Sequence, residues 1–138
     1  MRRRRQCAAL PIRDLTGTIE VLLITTRGRG RWVIPKGWAE RGVAPHDLAA
    51  REAFEEAGVL GRSIETPIGA YSYLKRLANG ERAKCDVEVF ALQVEGHSAD
   101  WPERGQRLNL WVRPHTAARM VSDPGLAALL RRFGAASR

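Results

Sequence analysis

Cysteine is scarce in this sequence, and long apolar runs are missing from it. The 138 residues include two cysteines, Cys7 and Cys85, and neither has another Cys or a His at metal-site spacing. Both lie in apolar or alternating runs, which predicts buried free thiols and a reducing compartment. No run approaches the roughly 18 apolar residues of a membrane-spanning helix. We therefore expect a cytoplasmic protein that does not enter a membrane.

Acidic residues are few relative to basic ones. The chain has 23 Lys and Arg against 15 Asp and Glu, which gives a net charge of +8. A solvated surface explains part of this excess, but the excess also favours anionic partners such as phosphorylated small molecules. Nucleic acid is the weaker alternative, because helix-turn-helix, zinc-finger and RNP-type motifs are missing.

The chain offers no obvious point of division. It contains no internal repeat and no linker rich in Pro, Gly and Ser, so we predict one domain over residues 1–138 and a monomer rather than an oligomer. The opening "MRRRR" resembles the start of a signal peptide, but the apolar stretch "CAALPI" after it is short and contains Pro11. We predict that residues 1–5 are a frayed basic terminus.

Strand and helix patterns alternate in a way that favours a layered α/β or α+β sandwich. The predicted strands are "CAALPI", residues 18–26, 32–35 and 108–114, and a hairpin of "SIETPIGAYSYL" and "KCDVEVFALQV" that turns at Asn79-Gly80. Residues 27–31 form a basic turn. The predicted helices cover residues 45–57, "HTAARMV" and residues 123–133, the last with Asp123 as its cap.

The helix predicted over residues 45–57 carries three glutamates on one face of its last turns. At about 100° per residue, Glu52, Glu55 and Glu56 share one sector opposite the apolar stripe. Neighbouring like charges repel by about 0.2–0.5 kcal/mol a pair, and the helix dipole opposes them further. A solvated helix face is the alternative, but a divalent cation would reverse this balance. The tight loop "PKGWAERG" before the helix favours the cation, since it would bring the Gly37 carbonyl close.

The segment from Gly37 to Val59 resembles the Nudix box, whose pattern is G-x5-E-x7-R-E-U-x-E-E-x-G-U with U an apolar residue. Gly37 opens the segment, and its closing positions are Arg51, Glu52, Ala53, Glu55, Glu56, Gly58 and Val59. Val43 stands where the family usually has a Glu that supports the Arg, and Glu40 is a candidate replacement. The resemblance implies an α/β/α sandwich with a mixed curved sheet, the Nudix helix on one face and the C-terminal helices on the other.

The resemblance also implies hydrolysis of a phosphoanhydride bond with Mg²⁺, or with Mn²⁺ in its place. The implied metal ligands are the Gly37 carbonyl, Glu52, Glu55 and Glu56. One glutamate, with Glu55 as first choice, would act as the base, and Arg51 would orient the carboxylates. The family often adds an acid from a later loop. Glu103 is a candidate by its order in the chain, and Asn109 stands where related chains often have an acid, so the sequence does not place this group.

Basic residues around the box are expected to cradle the phosphates of the substrate. They are Arg13, Arg27, Arg29, Lys36, Arg82 and Lys84, with Arg31, Lys75 and Arg76 nearby. Segments such as "VLLITTRGRGRWVIPKGW" are similar to diphosphoinositol polyphosphate and diadenosine polyphosphate phosphohydrolases, which implies a substrate of that type. Candidates to stack on a base are Tyr71, Tyr73 and Trp38, whereas Trp32 and Trp111 are expected to pack in the core.

Three other functions stay open from the sequence. Two are enzymatic: an RNA 5′-pyrophosphohydrolase, which the net charge permits, and a nucleotide-sugar or NTP pyrophosphatase. The third is a Nudix-like module that senses a phosphorylated ligand without turnover. Val43 is the only feature that supports it, and the retained glutamates argue against it.

Overall fold

The computed structural model describes residues 2–137, with the backbone alone at Arg2. Eight strands form one sheet, and three helices pack on it. The strands are β1 (Arg2–Leu15), β2 (Thr18–Thr25), β3 (Trp32–Val33), β4 (Lys36–Trp38), β5 (Val59–Ser63), β6 (Gly69–Arg76), β7 (Arg82–His97) and β8 (Asn109–Val112). The helices are α1 (Pro45–Ala57), α2 (Pro114–Met120) and α3 (Pro124–Ala136).

The two longest strands, β1 and β7, run parallel to each other in the middle of the sheet, from the pair Arg2–Ala83 to the pair Ile12–Gln93. On one side, β2 and β4 pair antiparallel with different stretches of β1, and β3 and β8 pair with β2. On the other side, β5 and β6 both pair antiparallel with β7. The sheet is therefore mixed, as the sequence predicted.

Successive residues of β1 face two different cores, as the two-residue repeat of a strand requires. Cys7 and Ala9 pack under α1, whereas Ala8 and Leu10 pack with residues of α2 and α3. Residues 21–25 of β2 are all buried, which confirms the prediction of an interior strand with two covered faces. The predicted α/β/α sandwich is confirmed, with α1 on one face of the sheet and α2 and α3 on the other.

Helix α1 has the bounds that the sequence predicted. It begins at Pro45 and ends before Gly58, whose φ of 72° and ψ of 12° are left-handed and whose N–H donates to the Phe54 carbonyl at 2.9 Å. A Cβ atom at Gly58 would lie 2.4 Å from the ring of Trp101, so glycine is required here for its conformation and for its size. Glu55 and Glu56 therefore lie in the last turn of the helix.

The prediction that residues 1–5 are frayed is wrong for residues 2–5, and Met1 lies outside the described residues. Residues 2–5 continue β1 because β7 is long enough to pair with them. Two of their side chains form ion pairs with β7: Arg3 pairs with Asp86 at 3.0 Å and Arg5 with Glu88 at 3.1 Å. The backbone of four consecutive arginines thus lies in a strand, while the side chains of Arg3 and Arg5 stay exposed.

Two predicted details of secondary structure are also wrong. "SIETPIGAYSYL" is not one strand, since β5 ends at Ser63 and β6 begins at Gly69, and a loop lets both strands reach β7. Asp123 occupies the N-cap position of α3, but its side chain makes no capping hydrogen bond there. Pro124, in the first turn of α3, favours the start of the helix at this position instead.

Cys7 and Cys85 are free and buried, as predicted. Burial raises the pKa of the Cys7 thiol, so Cys7 stays protonated and unreactive. Of the helices in residues 2–137, none combines the length and the apolar character needed to cross a membrane.

Candidate active site

The three glutamates of α1 converge at the C-terminal end of the helix. The Glu52 carboxyl lies within hydrogen-bonding reach of both Glu55 and Glu56. The exposed fraction of the side chain falls from 37% at Glu55 to 16% at Glu52 and 8% at Glu56. The carboxyls therefore form a cluster that runs from the solvent into the protein, which an amphipathic helix with a solvated acidic face would not produce.

Gly37 lies against this cluster. It pairs with Cys7 across β4 and β1, on the face of the sheet that α1 covers. A Cβ atom at Gly37 would lie 2.5 Å from both Cδ and Oε1 of Glu52. The missing side chain at position 37 therefore lets the Glu52 carboxyl lie on the backbone of β4. A role for the Gly37 carbonyl as a metal ligand stays a prediction.

Replacing Gly37 by alanine is expected to lower the affinity of the protein for Mn²⁺ by about tenfold, because the new methyl group displaces the Glu52 carboxyl. The melting temperature should change little, since the end of the Glu52 side chain is flexible. Isothermal titration with Mn²⁺ measures the affinity. The matched control is Gly96→Ala, where a Cβ atom meets nothing within 4 Å. Equal affinities for the two variants would contradict the prediction.

Burial raises the pKa of Glu56 to about 8, and the charges of Glu52 and Glu103 add to the effect, against the opposing charges of Arg107 and Lys36. Burial also raises the pKa of Glu52, helped by the charge of Glu55. The ionisation of either carboxyl thus costs free energy, which the neighbouring cations offset only in part. A bound dication would offset that cost, so metal binding should release protons from this cluster.

In metal-free buffer, the wild-type protein is expected to lose stability as the pH rises from about 5 to about 8. Between the pKa of an unfolded Glu and the pKa of about 8 in the fold, the native state holds a proton on Glu56 that the unfolded state has lost. The stabilisation is therefore complete at low pH and disappears as the pH passes 8. Melting temperatures measured with EDTA should fall across this window in the wild type and much less in Glu56→Gln. Parallel curves for these two proteins, with the exposed Glu65→Gln as control, would contradict the assignment.

Arg51 is held among carboxylates by Glu40. Its Nη2 donates a short hydrogen bond to Glu40 Oε2, while its Nε lies 3.7 Å from Glu52 and 3.9 Å from Glu55. The hydrogen bond to Glu40 is the main cause of a raised Arg51 pKa. Val43, at the position where the resemblance expects Glu, packs against the core under α1. Glu40 thus contacts Arg51 from another position in the loop, as expected for the residue that replaces the usual Glu at position 43.

Arg107 is the residue of this site that the sequence analysis missed. Its side chain is 11% exposed and lies between three groups: Nε donates to Glu103 at 2.9 Å, Nη1 donates to the Thr25 carbonyl at 3.0 Å, and Nη2 lies 3.9 Å from Glu56. The one signal in the sequence is the spacing of four between Glu103 and Arg107, which carries meaning mainly in helices. Here the two residues lie in an irregular segment.

The structure brings Glu103, the candidate for a later acid, to the site, and it uses Asn109 elsewhere. Glu103 borders the same cavity as Glu52 and Glu56, and its backbone N–H donates to the Glu55 carbonyl at 3.0 Å. The side chain of Asn109 donates to the Ala57 carbonyl at 3.1 Å, where α1 ends. Asn109 therefore caps the helix and does not face the cavity.

Two neighbouring cavities meet beside β4. The first, of about 570 Å³, is called the acidic cavity because it is bordered by Glu40, Glu52, Glu56 and Glu103, together with Arg27, Lys36, Lys75 and Arg107. The second, of about 540 Å³, is called the basic cavity because its charged lining is Arg29, Arg31, Lys36, Lys75, Arg76 and Arg82, with Asp123 as its carboxylate. Lys36 and Lys75 border both cavities, so an anion could extend from one into the other.

The six basic residues predicted to bind substrate divide into three groups. Arg27 and Lys36 border the acidic cavity, and Arg29 and Arg82 border the basic cavity. Arg13 is a correction: it lies opposite Glu20 in the sheet, pairs with it at 2.7 Å and stacks on Trp111, because the register of β1 and β2 places it there. The role of Lys84 stays a prediction. Lys84 lies on β7 and borders neither cavity.

Of the three aromatic residues predicted to stack on a base, one is buried and two already contact a lysine. Tyr71 is buried beneath α3 and cannot stack, which corrects that prediction. Tyr73 has the Lys36 ammonium 5.3 Å from its ring centre, and Trp38 has Lys75 6.0 Å away on its ring. Trp32 and Trp111 pack against the two cores, as expected.

The donor chemistry of the acidic cavity suits a hard cation. The clustered side chains offer carboxylate oxygens, the ligands that Mg²⁺ prefers. Burial raises the pKa values of Glu52 and Glu56, and the charges of neighbouring carboxylates add to the effect. Within residues 2–137, no three acidic, His or Cys side chains already stand in a metal-binding arrangement. The carboxyls contact one another and Arg51 instead. The residues thus fit a dication by their chemistry and by their crowding.

Comparison with known proteins gives a consistent picture. The model of the NUDIX domain family matches residues 2–133. Among curated relatives, the chain is 32% identical over 123 residues to Nudix hydrolase 12, mitochondrial, of Arabidopsis thaliana, covering 87% of this chain and 61% of the relative. It is 35% identical over 85 residues to diphosphoinositol polyphosphate phosphohydrolase 3-alpha of Mus musculus, covering 61% and 48%.

Among solved structures, an Ap4A hydrolase of C. elegans matches with a TM-score of 0.69 and 22% identity, covering 100% of both chains. At that identity the likeness concerns the fold. The present chain spans less than two thirds of the length of the first curated relatives that it matches, 61% and 62%.

Proposed function

This chain belongs to the NUDIX domain family, and from that premise we propose that it is a hydrolase of phosphoanhydride bonds in polyphosphorylated small molecules. One observation carries the proposal. Glu52 and Glu56 of α1, with Glu55 beside Glu52, lie at a cavity whose other walls bring four cations to the same place. Such a site attracts a dication and a phosphate chain together, which is what this hydrolysis requires.

The proposed metal ligands are Glu52, Glu55 and Glu56, with the Gly37 carbonyl beside them. The metal, Mg²⁺ or Mn²⁺, would supply Lewis-acid stabilisation of charge on the phosphate oxygens and a more acidic attacking water. We assign the role of base to Glu55, which is the most exposed of the three carboxylates and so the most accessible to water. Arg51 would orient Glu52 and Glu55, and Glu40 would hold Arg51.

Cations on this chain would bind the rest of the substrate. Arg27, Lys36 and Lys75 border the acidic cavity beside the proposed scissile bond, and Arg29 and Arg82 border the basic cavity next to it. This spread of charge fits a substrate with several phosphates. The similar mouse protein is a diphosphoinositol polyphosphate phosphohydrolase and the similar worm protein is an Ap4A hydrolase, which supports the same substrate type. We propose a diphosphoinositol polyphosphate or diadenosine polyphosphate as the substrate type, and a cytoplasmic location.

A substrate panel tests the proposal. The protein is incubated with Mg²⁺ or Mn²⁺ and diphosphoinositol phosphates, diadenosine polyphosphates, nucleotide sugars, nucleoside triphosphates or 5′-triphosphate RNA, and the released products are measured. We expect metal-dependent turnover that is fastest with one of the first two classes. Preference for RNA with a steep salt dependence would favour the RNA 5′-pyrophosphohydrolase. Tight binding without any turnover would favour the sensing module.

Removing a positive charge from the basic turn should weaken the binding of long polyphosphate substrates more than that of short ones. Arg29→Gln is expected to raise KM severalfold more for a five-phosphate diadenosine substrate than for a three-phosphate one, because Arg29 borders the cavity farther from the glutamates. Steady-state kinetics at fixed ionic strength measure the effect. Arg62→Gln, far along β5 and highly exposed, serves as the control. An equal rise in KM for both chain lengths would count against the extended cradle.

A further inference from the structure

Gln6 is a buried polar residue that the mechanism above does not use. The residue is 5% exposed, and it lies on β1 opposite Trp38. The Tyr73 hydroxyl donates to Gln6 Oε1 at 2.7 Å, across 67 residues of sequence. Burial raises the pKa of Tyr73 above its ordinary value, so the hydroxyl keeps its proton and stays a donor at working pH. The Gln6 carbonyl oxygen is therefore occupied.

The other end of the Gln6 amide is not occupied. Among the residues that the structure describes, no acceptor binds the Gln6 amide nitrogen, although nearly all of the side chain is buried. Gln6 borders the acidic cavity, so its unused N–H groups can donate hydrogen bonds to a molecule in that cavity. An amide held at one end by Tyr73 and open at the other presents two fixed donors to whatever enters the cavity.

The surroundings indicate what these donors bind. In the sheet register, Gln6 is opposite Trp38 and the next residue on the same face, Ala8, is opposite Lys36. Gln6, Lys36 and Trp38 therefore share one face of the sheet, and Lys75 lies over Trp38. The glutamates approach from the opposite face, where Glu52 lies on Gly37. A neutral donor on the cationic side of the cavity suits an anionic oxygen rather than a metal ion or a base.

We propose that Gln6 is a substrate-contacting residue whose side-chain amide, held by Tyr73, donates a hydrogen bond to a non-bridging phosphate oxygen next to the scissile bond. The assignment rests on the proposed function for the identity of the ligand, a phosphate chain. Tyr73 acts through Gln6 and is a positioning residue. The bond forms with the bound substrate as well as with the transition state, so its loss should raise KM more than it lowers kcat.

The test measures binding and turnover in four proteins: wild type, Gln6→Met, Tyr73→Phe and the double variant. We expect Gln6→Met to weaken binding of inorganic tripolyphosphate in metal-free buffer by about tenfold, the lower end of the loss expected for a hydrogen bond to a charged group. KM for the best panel substrate should rise by a similar factor with kcat within about threefold. Tyr73→Phe should have a smaller effect, and none in the Gln6→Met background. Gln93→Met, at an exposed glutamine of β7, is the control.

The outcomes separate the two claims. A purely structural Gln6 would give a lower melting temperature in Gln6→Met with unchanged tripolyphosphate affinity and KM, and this would overturn the inference. If Gln6→Met does not fold, Gln6→Glu keeps the acceptor for Tyr73 and replaces the donor by a carboxylate. It should then weaken tripolyphosphate binding at pH 9 by more than tenfold, and unchanged binding would again overturn the inference. Wild type that turns over no panel substrate would count against the proposed function, while the tripolyphosphate comparison would still test Gln6.

Discussion

Glu56→Gln is expected to reduce kcat at least a hundredfold at saturating Mg²⁺, a loss of about 2.7 kcal/mol of transition-state stabilisation. Glutamine keeps the shape of the side chain but cannot supply a negative oxygen, and Glu56 is the most buried carboxyl of the cluster. Steady-state kinetics on the best panel substrate measure the effect. The same variant should melt at a higher temperature than the wild type in metal-free buffer at pH 8, because it no longer carries a buried charge there.

This pairing of results distinguishes a functional loss from a folding defect. A variant that is inactive and less stable would indicate damage to the fold, whereas one that is inactive and more stable supports a carboxylate kept for its charge. Glu65→Gln, in the exposed loop between β5 and β6, should change neither quantity. An unchanged kcat in Glu56→Gln would remove Glu56 from the mechanism.

Arg107→Met is expected to destabilise the metal-free protein by about 3 kcal/mol at pH 8, the usual cost of removing one partner of a buried ion pair. Methionine fills much of the same volume but leaves Glu56 and Glu103 without their cation, and the Thr25 carbonyl without its donor. At pH 5 the loss should be smaller, because Glu56 holds a proton there in the native state. Urea unfolding at the two pH values measures the difference.

The control for Arg107 is an arginine that pairs with a carboxylate at the protein surface. Arg62 lies 3.8 Å from Glu95 with 76% of its side chain exposed, and Arg62→Met should cost less than about 1 kcal/mol at both pH values. Equal losses in the two variants would show that the position of Arg107 among the carboxylates is not what stabilises the fold. A loss that is greater at pH 5 than at pH 8 would contradict the assigned proton.

The parts of the fold that follow from local chemistry could be predicted from the sequence. Helix α1 has a proline at its start and a left-handed glycine at its end, and its glutamates repeat at helical spacing, so its bounds and its acidic face were both accessible. The family pattern then supplied the functional meaning of that face. Glu40 could be predicted as a candidate, because it lies in the same short loop as Val43, the residue that differs from the family pattern.

The parts that depend on contacts distant in sequence could not be predicted. Residues 2–5 resemble a solvated tail in the sequence, because no neighbouring residue indicates their parallel pairing with β7, some 80 residues away. Arg13 resembles the other basic residues until the register places it opposite Glu20. Arg107 is buried only because an irregular segment folds over the end of α1. The cytoplasmic location and the choice of base stay predictions.

A crystal of the protein soaked in Mn²⁺ tests the central claim most directly, through the anomalous scattering of the metal. The account predicts an anomalous peak within coordination distance of carboxylate oxygens of Glu52 and Glu56 in the acidic cavity, with Glu55 beside it. The peak should disappear in Glu52→Gln/Glu56→Gln crystals soaked in the same way. A map without a peak in that cavity, in which the three side chains keep their contacts with one another and with Arg51, would contradict the account.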